Sequence, residues 1–415
     1  MGDICRVRVF VVGGSSATRF HIIHEERARF FDPQHYPAST MVEATSLIKP
    51  ELLIEIDRLL CSRYDLSAPP PNRPTRKENT MKRRSWIITV VLVSALVASA
   101  CGESDVAADT PNVTFQGFPA DPVGLPALVM AEEGIDVKYG FHAVYLAVDP
   151  DAATNTFLIG ESDIAMEQDG VNMTIIQSEG HQAVLFAPGA NMMTGIVVPV
   201  DSPYQDPTDL VGEKVGHFGV DSGTTSTIAL MLKEIYDLDV LTEYDLREVG
   251  PEALPELLKG GEVEAIFDFE PLALRAVLET PGRYLFEPVK AWTEFSGGWS
   301  PWLTNLAARS DWLDANEELA FGVRDAWMEA IDVLQGGDYA MLREEPYKSF
   351  LELKSDEELE AFIEYCINLP CFGTSWTQED IDELDAYLRL FAKHGILINE
   401  TSSDPVAVIL EDYFK

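Results

Sequence analysis

Three observations predict an α/β fold with a helical C-terminal part. From Val113 onward, short apolar runs alternate with stretches whose apolar residues recur at helical spacing. That alternation is the pattern of βαβ units around a largely parallel sheet. The last hundred residues lose the short runs and read as mainly helical. Of the 415 residues, 46% are hydrophobic, enough to bury a core, and the length allows two or three domains.

The elements follow in order. Val113 to Phe115 reads as a strand and Leu125 to Glu133 as a helix. Asp136 to Phe141 and Ala143 to Leu146 read as extended segments. Ala152 to Leu158 is a short helix, Ile164 to Met166 a strand and Val171 to Ser178 a helix. Ala183 to Phe186 and Gly195 to Val200 have the length and composition of buried strands. A second unit opens with strand Val215 to Phe218. Helix Ser226 to Tyr236 follows, with Ile228, Leu232 and Ile235 at helical spacing. Helix Pro251 to Lys259 and strand Ala265 to Asp268 complete it, and the chain returns to the first unit near 288–307. Further helices are expected at about Asp314 to Leu334, Asp356 to Ile367, Glu379 to His394 and Pro405 to Asp412. In the third of these, Ile381, Leu384, Leu388 and Phe391 share a face, and Gly395 suits a C-cap. There is no internal repeat.

Residues 101–415 carry 16 basic and 59 acidic residues, a net of −43, whereas residues 1–100 carry 14 and 10. Such a surface repels nucleic-acid phosphates and anionic headgroups, so no nucleic-acid partner is expected. It also works against long-range attraction of anionic solutes, although a local pocket can override the global field.

The most specific signal lies at 81–101. Met81 precedes the basic run Lys82-Arg83-Arg84, then an apolar run from Trp86 to Val97, then Ala98-Ser99-Ala100 and Cys101. This is signal-peptide architecture, and the apolar run is short for a membrane span. The ending Val97-Ala98-Ser99-Ala100-Cys101 resembles a lipobox, with Ala98 where Leu is usual. The resemblance implies that Cys101 is acylated and becomes the first mature residue, anchored to the membrane outside the cytoplasm. An ordinary signal peptide or short anchor is the alternative. Translation is then expected to begin at Met81, with the Arg-rich, Pro-rich stretch 1–80 outside the native protein; a true cytoplasmic extension on a membrane anchor is the alternative. Residues 101–110 form a polar tether. Cys366 and Cys371 lie in an exported part, where a disulfide is permitted. Two free thiols are the alternative, and the spacing lacks companion zinc ligands.

Several stretches of 111–415 carry a family resemblance. They are Gly160-Glu161-Ser162-Asp163-Ile164-Ala165, the run Asp206 to Gly216, and the loop Asp221-Ser222-Gly223-Thr224-Thr225-Ser226. Leu257 to Ala265 and Phe269-Glu270-Pro271 complete the series. Their order resembles the periplasmic substrate-binding proteins of the nitrate/sulfonate/taurine (NMT1/THI5-like) type. Two stretches depart from that pattern, the shortened Glu133 to Val137 and the loop Phe118 to Pro122. The resemblance implies a two-lobed periplasmic-binding-protein fold (type II) with two crossover strands. Lobe I would hold 111–198 and 300–415, and lobe II 199–299. It implies a monomeric solute-binding lipoprotein that serves the permease of an ABC importer and closes on its ligand by a hinge.

Ligands in open α/β sheets sit beyond the carboxyl ends of strands. Ser222, Gly223, Thr224 and Thr225 meet that condition: Gly223 allows close approach, and the first helical turn offers free N–H groups. Plain N-capping explains the same residues. Asp169 and Gly170 follow a strand and open a helix. Ala187 precedes Pro188-Gly189 after another strand. Phe269 and Glu270 end the last strand of the second unit, and Glu270 could take a donor from the ligand or pair within the protein. Trp299, Trp302 and Phe118 are candidate aromatic walls or core residues. No Lys or Arg occupies these loops, which favours a heteroaromatic or zwitterionic organic solute over a small inorganic anion.

The alternative is an enzyme of the same fold, such as a pyrimidine-precursor synthase. His142, His181, His217 and His394 are scattered, and no Gly-x-Ser-x-Gly elbow, phosphate loop or His-Glu-x-x-His helix is present. No cofactor or metal is expected. A sensory lipoprotein without a transporter is the third reading.

Overall fold

The computed structural model describes residues 110–396 apart from 221, residues 404–415, and the strands β1 (Ile4–Val12), β2 (Ala38–Ala44) and β3 (Ile54–Leu60), with no side chain described for those strands or for residue 151. The leader at 81–101, Cys101, most of the tether and Asp221 lie outside the described residues. The chain divides into two units, Met1–Ala98 and Ser99–Lys415. In the first, β1 pairs with β2 in parallel and with β3 antiparallel.

The larger unit contains two five-stranded sheets. The first uses β4 (Asn112–Gly117), β5 (His142–Ala147), β6 (Ile164–Gln168), β7 (Ala183–Pro188) and β13 (Asn305–Arg309), in the order β5-β4-β6-β13-β7. The second uses β8 (Thr194–Pro199), β9 (Lys214–His217), β10 (Asp245–Glu248), β11 (Ala265–Phe269) and β12 (Gly282–Phe286), in the order β10-β9-β11-β8-β12.

Strand residues alternate between two apolar layers, which is why these runs have no polar face. In β7, Val184 and Phe186 pack with Val113, Phe115 and Leu306 under the helices Leu125–Glu132 and Glu317–Gly336. Ala183 and Leu185 point the other way, into a layer with Phe157 of helix Pro150–Leu158 and Ile176 of helix Gly170–Ser178. That second layer also takes Ile196 and Val198 of β8 and Phe267 of β11, so one apolar core runs from the first sheet to the second. Trp327 is fully buried and donates its indole N–H to Pro188 O at 2.8 Å.

Both sheets are mixed, not largely parallel. Each contains two parallel and two antiparallel pairs. The cause is topological: β8 and β13 each enter a sheet by crossing from the other one, and so run against their neighbours. Because Thr194–Pro199 belongs wholly to the second sheet, the expected lobe boundary at 198/199 falls inside a strand.

The two crossovers, 189–193 and 300–304, lie side by side. Leu303 N–H donates to Ala190 O at 2.8 Å, and Asn191 bridges antiparallel to Trp302. A third short segment joins them. Asn191 N–H donates to Cys371 O and Gly373 N–H to Gly189 O, both at 2.9 Å. Cys366 and Cys371 form a disulfide that ties this segment to the end of helix Asp356–Asn368. That helix also reaches the second lobe: buried Arg275, on helix Leu272–Glu279, donates to Glu358 at 2.7 Å. Farther along, helix Gln378–His394 packs on the shared core, and Lys393 and His394 pair with Glu234 of helix Gly223–Tyr236.

Two local expectations fail. Ile135–Lys138 is a helical turn, not part of an extended segment. Buried Asp136 accepts from Val137 N–H at 2.7 Å and Ala143 N–H at 2.8 Å, which closes the turn onto β5. The helix expected at Pro405 to Asp412 is reduced to Leu410–Tyr413. Before it, Val406 and Val408 hydrogen-bond to Leu185 on β7 at 2.9 Å.

The hinge constraint is testable at Gly189. A β-carbon there would stand 2.5 Å from Thr304 O, a backbone atom that cannot swing away. Gly189→Ala is expected to lower stability by about 1–3 kcal/mol, measured by denaturant unfolding; an unchanged midpoint would show that the crossovers are not held this closely.

Candidate functional site

The carboxyl ends of β6 and β9 present two helices to each other, one from each lobe. Asp169 caps helix Gly170–Ser178 by accepting from Asn172 N–H at 2.8 Å. Ser222 caps helix Gly223–Tyr236 by accepting from Thr225 N–H at 3.1 Å. The caps meet: a β-carbon on Gly223 would lie 2.9 Å from Asp169 Oδ2. Gly223 is therefore glycine because another side chain occupies the space beside it. Asp169, Gly170, Gly223 and Trp302 line one small cavity with Thr227 and Tyr387. It has room for about one water in this closed arrangement.

The structure thus brings together Asp169, Gly170, Gly223 and Trp302 of the residues singled out from sequence. Ser222 is a cap whose hydroxyl also lies 2.8 Å from Gly219 O. Thr224 and Thr225 are buried within the first turn. Trp299 stacks edge-on against both Trp302 and Tyr387, with ring centroids 5.9 Å apart in each case. Its buried indole N–H has no hydrogen-bond partner among the described residues. Phe269 packs edge-on against Phe218 at the ends of β11 and β9, 5.4 Å between centroids. Phe118 is half-buried after β4, and its carbonyl accepts from Tyr145 hydroxyl at 2.7 Å.

Two candidates lie elsewhere. Ala187 is fully buried within β7 and packs in the first apolar layer, so it faces the core. Glu270 has both carboxylate oxygens engaged, one by Tyr284 hydroxyl and one by Leu274 N–H at 2.9 Å. It anchors the start of helix Leu272–Glu279 to β12 and is 1% exposed.

Sequence reasoning missed Tyr387 and Thr227, since both sit inside helices whose apolar faces explain them as packing. It also missed two acidic side chains near the end of the first sheet. Glu167 Oε1 accepts from Gln116 at 2.5 Å and Gln168 at 3.0 Å, while its Oε2 is buried and unpartnered. Burial pushes Glu167 up to about 7, against its amide donors. Asp121, capping the short turn after β4, is pushed up to about 6 by burial, against the Val123 N–H it accepts. Burial also raises Asp169, against the N–H groups of Asn172 and Val171. Among the described residues no Lys or Arg lines the cavity. Among the described residues no group of three His, Cys, Asp or Glu is placed to hold a metal, and no helix is long and apolar enough to cross a membrane.

The sequence model of the NMT1-like family matches residues 117–344, more than half of the chain. The chain belongs to the NMT1-like family. No curated protein matches it. Among solved structures it is similar to the periplasmic aliphatic sulphonate binding protein SsuA from Escherichia coli. The identity is 16% and the TM-score 0.55, over 74% of this chain and 99% of that one. It is also similar to the ligand-binding component of an ABC-type import system from Staphylococcus aureus, solved with zinc bound. There the identity is 12% and the TM-score 0.55, over 73% and 98%. A mutant of the desulfurization enzyme DszB, in complex with biphenyl-2-sulfinic acid, matches at 13% identity and TM-score 0.50 over 74% and 99%. These likenesses establish the fold of the NMT1-like chain as the two-lobed periplasmic-binding-protein type.

The raised carboxyls set a pH dependence. Glu167, Glu270 and Asp121 hold protons in the folded state at pH values where the unfolded chain has lost them. Between about pH 4.5 and 7 the folded state binds more protons, so stability falls as pH rises. The loss is on the order of 3 kcal/mol per fully shifted carboxyl as an upper bound. Glu167→Gln is expected to flatten the slope of unfolding free energy against pH in that window; an unchanged slope would place Glu167 in water.

Proposed function

We propose that this chain is an extracytoplasmic solute-binding lipoprotein of an ABC importer, holding a small organic solute between its lobes and closing on it by hinge motion. The solute classes that the sequence suggests are a sulfonate, a carboxylate or a heteroaromatic vitamin precursor. The observation that carries the reading is the convergence of two helix N-termini, one from each lobe, beside a paired two-crossover hinge. Family membership and the likeness to an import-system component support it. Rigid lobes joined by short crossovers are suited to closure around a ligand. An enzyme of this fold is the second reading, favoured by the likeness to DszB. Buried carboxyls with raised pKa values also occur at catalytic sites.

A solute that binds the folded state raises its stability by mass action, about 2.7 kcal/mol at a hundred times Kd. Thermal shifts across organic anions, amines, vitamins and pyrimidines are expected to give a hit. Gly223→Ala is expected to weaken that hit at least tenfold by holding the lobes apart. Full affinity in the variant would move the site elsewhere, and product formation from the hit would favour the enzyme.

The membrane address is tested separately. Mass spectrometry of the protein from its native cells is expected to find an acylated Cys101 at the N-terminus. Peptides from 1–80 would contradict a start at Met81.

A further inference from the structure

Asp169 carries an inference that rests on the solute-binding reading and narrows it. The N-terminal turn of a helix is a ready-made anion site, with partial positive charge of about half a unit. Here two such turns face one another across the cleft, and the Asp169 carboxylate stands between them. Its Oδ1 accepts from Asn172 N–H at 2.8 Å, and its Oδ2 would lie 2.9 Å from a β-carbon on Gly223. Asp169 thus places a negative charge of its own where an incoming anion would meet the two helix ends.

An independent observation points to the same cavity. Tyr387, 5% exposed, lines it, and its hydroxyl makes no hydrogen bond of ordinary geometry, although Thr227 lies beside it. Buried hydroxyls are normally paired, so this one is a polar group with capacity to meet a solute. Among the described residues the cavity wall adds the aromatic faces of Trp302 and Tyr387 and no cationic side chain.

We infer that Asp169 is a specificity-determining residue, a built-in anion that takes the place of a solute's anionic head group, so that the cleft admits a neutral or amine-bearing solute and rejects alkanesulfonates. A sulfonate brought to the same helix ends would meet a like charge within a few ångströms in a buried site, which strongly disfavours it. An amine would instead pair with Asp169 against aromatic faces, an arrangement that suits cations.

The test is titration calorimetry of the full chain and of Asp169→Asn and Asp169→Ser with 1-pentanesulfonate and pentylamine. Both replacements keep a good N-cap, so helix Gly170–Ser178 has its first turn satisfied, and the thermal midpoint without solute checks the fold. The expected result is pentanesulfonate binding at least tenfold tighter in both variants than in the parent chain, with no such gain for pentylamine. Equal sulfonate affinity in parent and variants, or no gain in either variant, would overturn the inference. The broader reading fails separately, if no solute of the wider panel stabilises the parent chain.

Discussion

The larger unit depends on the pairing of two crossover segments, 189–193 and 300–304. Their backbones come so close that Gly189 has no room for a side chain against Thr304 O. This contact fixes where each sheet begins. β8 starts directly after the first crossover and β13 directly after the second, which is why both run antiparallel to their neighbours. It also fixes the carboxyl ends of β6 and β9 opposite one another. The segment around Cys371 and Gly373 adds a third strand to the hinge, and Trp302 and Trp376 stack over it with centroids 5.2 Å apart. An apolar core that continues through this region means that the lobes share packing as well as backbone.

Buried carboxyls recur through both lobes. Burial holds Asp121, Glu167, Asp169 and Glu270 above the usual carboxylate range. Removing a carboxylate from water is costly unless hydrogen bonds or charges replace the solvent. Glu270 has two donors, whereas Glu167 leaves one oxygen unpaired. The difference separates a structural carboxyl from one near the end of the first sheet with capacity to spare. The wider surface is strongly acidic as well, so the long-range field does not draw anions toward the chain.

Much of this was legible in the sequence because burial on both faces writes itself as continuous apolar runs. Ala183 to Phe186 and Ala265 to Phe267 read as strands for that reason. The small residues at strand ends also spoke clearly: Asp169-Gly170 and Ser222-Gly223 are cap signals whether or not a ligand is involved. Long-range partners were not legible. Glu270 looked available because nothing in Phe269-Glu270-Pro271 announces Tyr284, fourteen residues on. Ala187 looked like a strand end, but the strand continues to Pro188 and its side chain is sealed. Val406 and Val408 have helix-compatible neighbours, yet the backbone of Leu185 claims them. Tyr387 was hidden by its own helix, where an apolar face accounts for every neighbour.

A closed cleft with opposed helix ends makes a definite claim about which amides a solute protects. Amide hydrogen exchange of the chain, with and without whichever solute raises its melting temperature, reads that claim most directly. The account predicts slowed exchange at 169–173, 222–227 and 300–304, the three segments that meet beside Asp169. Protection confined to other surfaces, with these three unchanged, would contradict it.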